Sequence, residues 1–219
     1  MPHPKEGYKL ANGDPCPSVT QITGRFKDSS GLIKWANKMG LEGKLSHEVA
    51  GRAANAGTVC HSMIECRLLG KRLPAFEDTD PKLVELARKG FQNFLSWKRT
   101  AGVEVDSTEL RLVSESLQVG GTLDAGGRGK VSSRRALIDW KTSNRVYADY
   151  LVQCGGYSAL WNEAFPDDPI QEIHLLRVGK RYAEFEHRVW GEDVVALAMD
   201  QFKVLREAFD LDLQLRQLV

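Results

Sequence analysis

Two spacings of hydrophobic residues divide this chain, one helical and one extended. Val49, Ala53, Ala56, Val59, Cys60, Met63, Ile64 and Leu68 fall near helical spacing, as in a helix with one buried face. Ser46 supplies an N-cap for that helix and Gly70 a stop, with Gly57 a point of interruption. A second helix opens at Asp80-Pro81 and runs to about residue 100, with Leu83, Leu86, Phe91, Phe94 and Leu95 as its apolar face. A shorter one, over residues 31–39, lies between Ser30 and Gly40. The first thirty residues carry Gly, Pro, Asp and Ser and read as an irregular arm with one short strand over residues 19–23.

Beyond residue 103 the period changes. Residues 108–113 alternate as a strand, and 117–124 read as its hairpin partner. A Gly-rich turn at 126–129 leads into the apolar strand 135–142. Residues 147–165 are helical and stop at Pro166. Residues 170–177 and 182–190 read as two strands about a turn at Gly179, and 192–218 as a closing helix. Helices, three strands, a helix, two strands and a helix make an α/β (α+β) domain around one central mixed sheet. At 219 residues the chain fits a single domain. Within it, residues 1–103 form an N-terminal arm and helical segment, and 104–219 the sheet core and closing helices.

Composition narrows the class without naming it. Contents of 42% hydrophobic and 27% charged residues are those of a soluble globular domain, which excludes a disordered or fibrous chain. No apolar run approaches the roughly 20 residues that span a bilayer. The opening MPHPKEGYKL has no apolar signal core, so no membrane partner and a cytoplasmic location are expected. The formal net charge of +1 neither announces nor excludes a polyanionic partner. Cys16, Cys60, Cys66 and Cys154 include no CxxC pair and read as reduced, buried thiols.

The densest chemical signal is Leu137-Ile138-Asp139-Trp140-Lys141-Thr142-Ser143. Side chains alternate along a strand, so Asp139 and Lys141 share one face while Ile138 and Trp140 take the other. Alone, a D-x-K is commonly a surface ion pair. Asp124 ends the preceding strand and can place a second carboxylate beside Asp139, where mutual repulsion favours a shared hard cation such as Mg²⁺ or Mn²⁺. A turn-forming Asp before Gly126-Gly127 is the plain alternative for Asp124. His61 and Glu65 are four apart on a helix, as are Gln153 and Tyr157, so each pair shares a helix face. Packing residues would give the same spacings. Residues 125–130 lack the spacing of a phosphate loop, and neither GxSxG nor HExxH occurs.

GTVCH (57–61), Glu109 before the hairpin, GGTLDA (120–125), IDWKTS (138–143) and QCGGY (153–157) stand in an order that resembles the RecB-like branch of the PD-(D/E)XK nucleases. The resemblance spans residues 17–157. SVTQIT followed by LIKWANKMG is similar to phage exonucleases and to the mitochondrial genome maintenance exonuclease. It implies a restriction-endonuclease-like core and a phage-encoded or bacterial intracellular enzyme. His61, Asp124, Asp139 and the backbone carbonyl of Trp140 would hold Mg²⁺ or Mn²⁺, and Lys141 would orient the attacking water. Gln153 and Tyr157 would hold the substrate strand, with Glu65 and Glu109 as supporting residues around the metal ligands. Some relatives carry an iron–sulfur cluster on one early and three late cysteines; the late three are missing here, so no iron–sulfur cluster is expected.

The resemblance implies a divalent-metal-dependent DNA nuclease, an exonuclease by its similarity to the phage and mitochondrial exonucleases, and a preference for single-stranded DNA with a free end is expected. Phage or host recombination and replication proteins are candidate partners. The single-strand preference follows if the helical segment arches over Asp124 and Asp139, with Lys34, Lys38, Lys44 and Arg52 guiding phosphates. Tyr147, Tyr150, Tyr157 and Trp161 are candidates for stacking on bases. A structure-specific endonuclease and a non-catalytic nucleic-acid-binding subunit are the alternatives.

Overall fold

Strand β5 (Arg135–Lys141) is the middle strand of five, in the order β3 (Val103–Ser114), β4 (Val119–Gly129), β5, β6 (Glu172–Val178) and β7 (Phe185–Trp190). The pairs β3–β4, β4–β5 and β6–β7 are antiparallel and β5–β6 is parallel, so the sheet is mixed, as the element order predicts. A parallel pair needs a long crossover, and helix α5 (Ala148–Ala164) provides it. The structure is a computed structural model that describes residues 7–179 and 184–219. The predicted start of the last strand at 182–183 and the first six residues of the arm lie outside the described residues.

Alternation along β5 builds two cores. Leu137 points into one with Leu123, Ile173, Leu175, Leu160 and Phe202, beneath α5, α1 (Val19–Arg25) and α6 (Glu192–Arg216). Ala136, Ile138 and Trp140 point into the other, with Cys60, Ile64, Phe94 and Trp97, beneath α3 (Ser46–Leu68) and α4 (Pro81–Thr100). Trp97, Trp140, Phe94 and Phe202 are fully buried. Each such side chain contributes about 1.5–3 kcal/mol of transfer free energy. Helix α5 lies very close to its neighbours: a Cβ on Gly155 would sit 2.1 Å from the carbonyl oxygen of Ala198, and one on Gly156 would sit 2.8 Å from Phe202 and Val19. This contact fixes α5, and with it Gln153 and Tyr157 on its sheet-facing side.

Several expectations give way. Residues 19–23 form helix α1 rather than a strand, because Ser18 and Gln21 complete a capping box: Gln21 N donates to Ser18 Oγ (3.1 Å) and Ser18 N to Gln21 Oε1 (2.7 Å). Gly57 does not interrupt α3, which is continuous. Gly126, Gly127 and Gly129 are not a turn but the end of β4, all paired with β3 and the first two also with β5. They are small for packing reasons, since a Cβ on Gly127 would lie 2.3 Å from the Glu104 carbonyl and one on Gly126 2.8 Å from the Trp161 ring. A two-stranded ribbon, β1 (Tyr8–Lys9) with β2 (Pro15–Cys16), occupies the predicted irregular arm. Helix α2 (Ser30–Leu41) buries Met39 alone, leaving Leu32 and Ile33 exposed.

Candidate active site

Asp139 and Lys141 leave β5 on the Leu137 face. The lysine Nζ donates to Asp139 Oδ1 (2.8 Å) and to Gln153 Oε1 (2.9 Å). Gln153 Nε2 in turn donates to the Tyr157 hydroxyl at 2.9 Å, so the two α5 residues predicted from their spacing form one line with the D-x-K pair. The Tyr150 ring lies 5.1 Å from Nζ, a cation–π contact. Asp139 itself is 1% exposed.

Asp124 reaches the same place because the strands part there. The β4–β5 ladder runs from Arg128↔Arg135 to Ala125↔Ile138 and stops. The backbone N–H of Trp140 then donates to Asp124 Oδ2 at 3.0 Å, a carboxylate standing where a ladder carbonyl would otherwise be. Trp140 thus meets the site through its main chain, while its indole is buried on the opposite face. On the other side α3 comes down onto the end of β5. A Cβ on Gly57 would stand 2.8 Å from Thr142 Oγ1, so glycine is what lets helix and strand approach. One helical turn later, His61 Nδ1 lies 3.6 Å from Asp124 Oδ1.

Glu109 joins through an irregularity in β3. Its φ of +52°, unusual for a glutamate, falls where Glu109 and Asp124 drop out as partners in a β3–β4 register that is unshifted from Thr108↔Ala125 to Leu110↔Leu123. His61, Glu109, Asp124, Asp139, Lys141, Gln153 and Tyr157 all line one cavity of about 160 Å³. Glu65 does not line it, although its charge bears on Glu109. Tyr8, Ser18, Thr20 and Thr122 also line it and were not foreseen. The capping box at Ser18 was a legible signal for two of these. Tyr8 depends on the ribbon, whose ring packs over Gly120 and whose hydroxyl meets Thr122 Oγ1 at 2.9 Å.

The electrostatics follow from crowding carboxylates in a dry place. Burial opposes charge on Lys141, but Asp139 and Asp124 outweigh it and hold the ammonium well above its ordinary range. Burial also opposes charge on Asp124, yet His61, Lys141 and the Trp140 N–H keep its carboxyl below the ordinary value. Asp139 goes the other way, raised by burial and by the Asp124 charge despite Lys141. Burial, Asp124 and Glu65 push Glu109 up to about 8. Burial raises the Tyr157 phenol.

Three buried polar atoms here have no hydrogen-bond partner among the described residues: His61 Nδ1, Glu109 Oε1 and Asp139 Oδ2. Asp139 Oδ2 lies 2.8 Å from Lys141 Nζ, outside hydrogen-bond geometry. Buried polar groups are normally satisfied, and an ion is one of the few things that completes such a set. Carboxylates with one imidazole are the donors that a hard or borderline divalent cation takes. No group of three or more His, Cys, Asp or Glu among the described residues is already arranged around a point that would hold a metal ion. Lys141 currently occupies Asp139, so the donor types fit while the cage is not preformed. The basic residues predicted to guide phosphates are partly engaged elsewhere: Lys38 and Lys44 both pair with Glu42. Among the described residues, no helix is long and apolar enough to cross a membrane.

No known family matches the sequence, and no curated protein matches it either. Among solved structures, the chain is similar to LHK-Exo in complex with dAMP: 12% identity over 93% of this chain and 95% of that one, TM-score 0.44. It is also similar to LHK-Exo, an alkaline exonuclease from Laribacter hongkongensis, at 14% identity over 78% of this chain and 93% of that one, TM-score 0.35. Neither likeness carries a functional argument, and what the chain does rests on its own site.

Proposed function

We propose that the chain is a divalent-metal-dependent nuclease of the PD-(D/E)XK kind, an exonuclease hydrolysing DNA and preferring a single strand with a free end. The observation that carries this reading is the set of unsatisfied buried atoms of His61, Glu109 and Asp139 around Asp124, in one cavity with a charged lysine. His61, Asp124, Asp139 and the main-chain carbonyl of Trp140 are the residues that would hold Mg²⁺ or Mn²⁺. Such a cation, when bound, supplies Lewis-acid polarisation of the scissile phosphate.

The remaining work falls to the chain. Lys141, kept charged by two carboxylates, holds the attacking water and offsets charge building on the phosphate oxygens. The Gln153 amide and Tyr157 hydroxyl orient the substrate strand by hydrogen bonds. Glu109 and Glu65 stand behind the ligands and shape the field they sit in. Because Asp139 is almost wholly covered, a phosphate reaches it only by entering the cavity. The N-terminal ribbon and the start of α1 form part of its wall. A single strand enters such a recess more easily than a paired duplex, which supports the single-strand preference.

The test is incubation with end-labelled single- and double-stranded DNA in the presence of Mg²⁺, Mn²⁺ or a chelator. Cleavage with either ion, lost with chelator and faster on single strands, is the expected result. No cleavage of any DNA overturns the proposal. Equal degradation of circular and linearised single strands would replace exonuclease by endonuclease.

A further inference from the structure

A second cavity, of about 590 Å³, lies between the end of α3 with the loop after it and the C-terminal half of α4. It is lined by Arg67, Lys71, Lys98 and Arg99 around Leu73, Phe91 and Leu95. Among the described residues no carboxylate lines it. Most cations with a defined contact elsewhere on this chain have an acidic partner: Lys38 and Lys44 with Glu42, Lys89 with Glu85, Arg128 with Asp168, Arg188 with Glu186. Among the described residues Arg67, Lys71 and Lys98 form no ion pair, and Arg99 donates to Ser96 Oγ. The Lys98 ammonium is destabilised by partial burial and by the Arg67 charge, so these cations are close enough to repel one another.

Like charges gathered around an apolar floor cost free energy unless an anion with an apolar part comes between them. The floor is also aromatic and firmly held. Phe91 stacks on Phe94 at 6.4 Å, and Phe94 meets Trp140 edge-on at 5.5 Å, so the cleft floor is the outer end of a ring row that starts on β5. The volume is that of a small-ligand site, large enough for a nucleotide unit. Arg67 follows His61 by six residues on α3, about 9 Å of helix rise, which places the cleft within a few nucleotides of the active site.

We propose that this cleft is a second binding site for single-stranded nucleic acid, seating a base on Phe91 and Leu95 and the adjoining phosphates on Arg67, Lys71, Lys98 and Arg99. The choice of nucleic acid as the occupant rests on the nuclease reading; the charge complementarity and the aromatic floor do not. Stacking on an aromatic floor with cations along the backbone is how single strands are held without regard to sequence. A strand engaged at both places would be retained between successive cleavages.

The test compares oligothymidylates of about 4 and about 16 nucleotides, binding followed by fluorescence anisotropy with chelator present and cleavage with Mn²⁺. Two variants are used, the double variant Arg67→Gln/Lys98→Gln and the single variant Phe91→Leu. For the long oligomer the double variant should bind roughly tenfold more weakly, with the slope of log K against log salt reduced by about 1.4, two single-strand phosphates at about 0.7 each. Phe91→Leu should weaken the long oligomer while leaving that slope unchanged. Cleavage of the short oligomer should be unaffected in both, which also shows that the variants fold. Unchanged affinity and slope for the long oligomer overturn the proposal. If the native chain binds the long oligomer through the cleft but cleaves nothing, the cleft stands and the nuclease reading falls. If it binds no single strand at all, both fall.

Discussion

The two ends of β5 handle buried charge in opposite ways. At its start Arg135 is 8% exposed and closed on every side: Nη1 donates to Asp106 Oδ2 (2.5 Å) and to the Gly127 carbonyl (3.2 Å), Nε donates to Asp168 Oδ2 (2.7 Å), and the guanidinium lies 5.1 Å from the Trp161 ring. Arg128 adds a second donor to Asp168 at 2.7 Å. At its finish Asp139 is deeper still and Lys141 is half-buried, yet one oxygen of Asp139 and the neighbouring atoms of His61 and Glu109 are left without hydrogen-bond partners among the described residues. An unmet buried polar group costs about 1–3 kcal/mol. A fold can close such a group with a residue of its own, as it does around Arg135. Where several remain open together in a cavity, the missing partner is something that binds. Each end carries a charged residue on an apolar strand, so the distinction belongs to the partners and not to the strand.

The sharpest way to break this comparison is to remove charges at the open end. Asp139→Asn and Asp124→Asn should each lower cleavage by about 10³-fold or more. Asp139 is raised by burial and by the Asp124 charge, so Asp139→Asn should keep or raise the melting temperature; Asp124 is held charged by His61, Lys141 and the Trp140 N–H, so Asp124→Asn should keep or lower it. Lys141→Ala should lose activity to a similar degree but melt lower, because both carboxylates then stand buried without a cation. Cleavage assays and thermal melts on the three variants check this. Full activity in either Asn variant, or a melting temperature in Lys141→Ala above that of the native chain, would contradict the assignment.

At the closed end the expected effect is on stability alone. Arg135→Gln should cost about 1.5–3 kcal/mol by stranding charge-assisted hydrogen bonds. That is less than for a fully buried pair, since Asp106 and Asp168 are 43% and 31% exposed and can rehydrate. For a chain of this size the melting temperature should fall by about 2–4 °C per kcal/mol. Activity per folded molecule should not change. A variant that melts normally and cleaves poorly would show that the two ends are not separate in function.

How much of this was visible beforehand depends on how local each feature is. The Asp139–Lys141 face, the Gln153–Tyr157 spacing and the Asp80-Pro81 helix start are set by neighbours within a few positions, and all lie where expected. Glu109 could not be assigned a face from sequence, because its side depends on a left-handed backbone within β3 that alternation does not describe. The glycines at 126, 127 and 129 look like a turn, but the smallness of the first two answers to Trp161 and Glu104, which come from elsewhere in the chain. Tyr8 at the cavity wall depends on a ribbon docking 112 residues away in sequence, on Gly120. Arg135 gave no local signal of its partners, since Asp106 and Asp168 lie 29 and 33 positions off.

His61 sharpens the comparison from within the open end, with a smaller effect. Its Nδ1 is unsatisfied and faces Asp124 at 3.6 Å. An imidazole favours Mn²⁺ over Mg²⁺ as a ligand. His61→Ala should therefore weaken Mn²⁺ binding and lower the ratio of Mn²⁺- to Mg²⁺-supported activity by roughly tenfold, within the range for loss of a metal-site partner, with little change in DNA binding. Calorimetric titration with Mn²⁺ and paired rate measurements read this out. An unchanged ratio would make His61 a packing residue.

The smallest effect is expected at a third buried cluster, which avoids the problem by staying neutral. His174 on β6 and His187 on β7 face each other, Nδ1 to Nε2 at 3.1 Å, with Glu172 3.2 Å from His174 and the Trp97 ring edge-on to His187. Burial, and then the neighbouring His174, push His187 down to about 4; burial lowers His174 as well, against the pull of Glu172. The folded values lie below the ordinary 6.5, so the unfolded chain takes up protons first as pH falls. The stability this pair contributes is thus intact above about pH 6.5 and is lost as pH drops toward 4. Glu109, raised to about 8, acts with the opposite sign, gaining stability as it protonates, so the whole-protein slope mixes the two. His187→Phe separates them, since a phenyl ring keeps the contact with Trp97 and removes the titration. Between about pH 8 and 5 the variant should lose less melting temperature than the native chain, by a few degrees at most. Parallel melting curves for both would show that His187 takes up its proton equally in the folded and unfolded states, and the neutral cluster would drop out of the comparison.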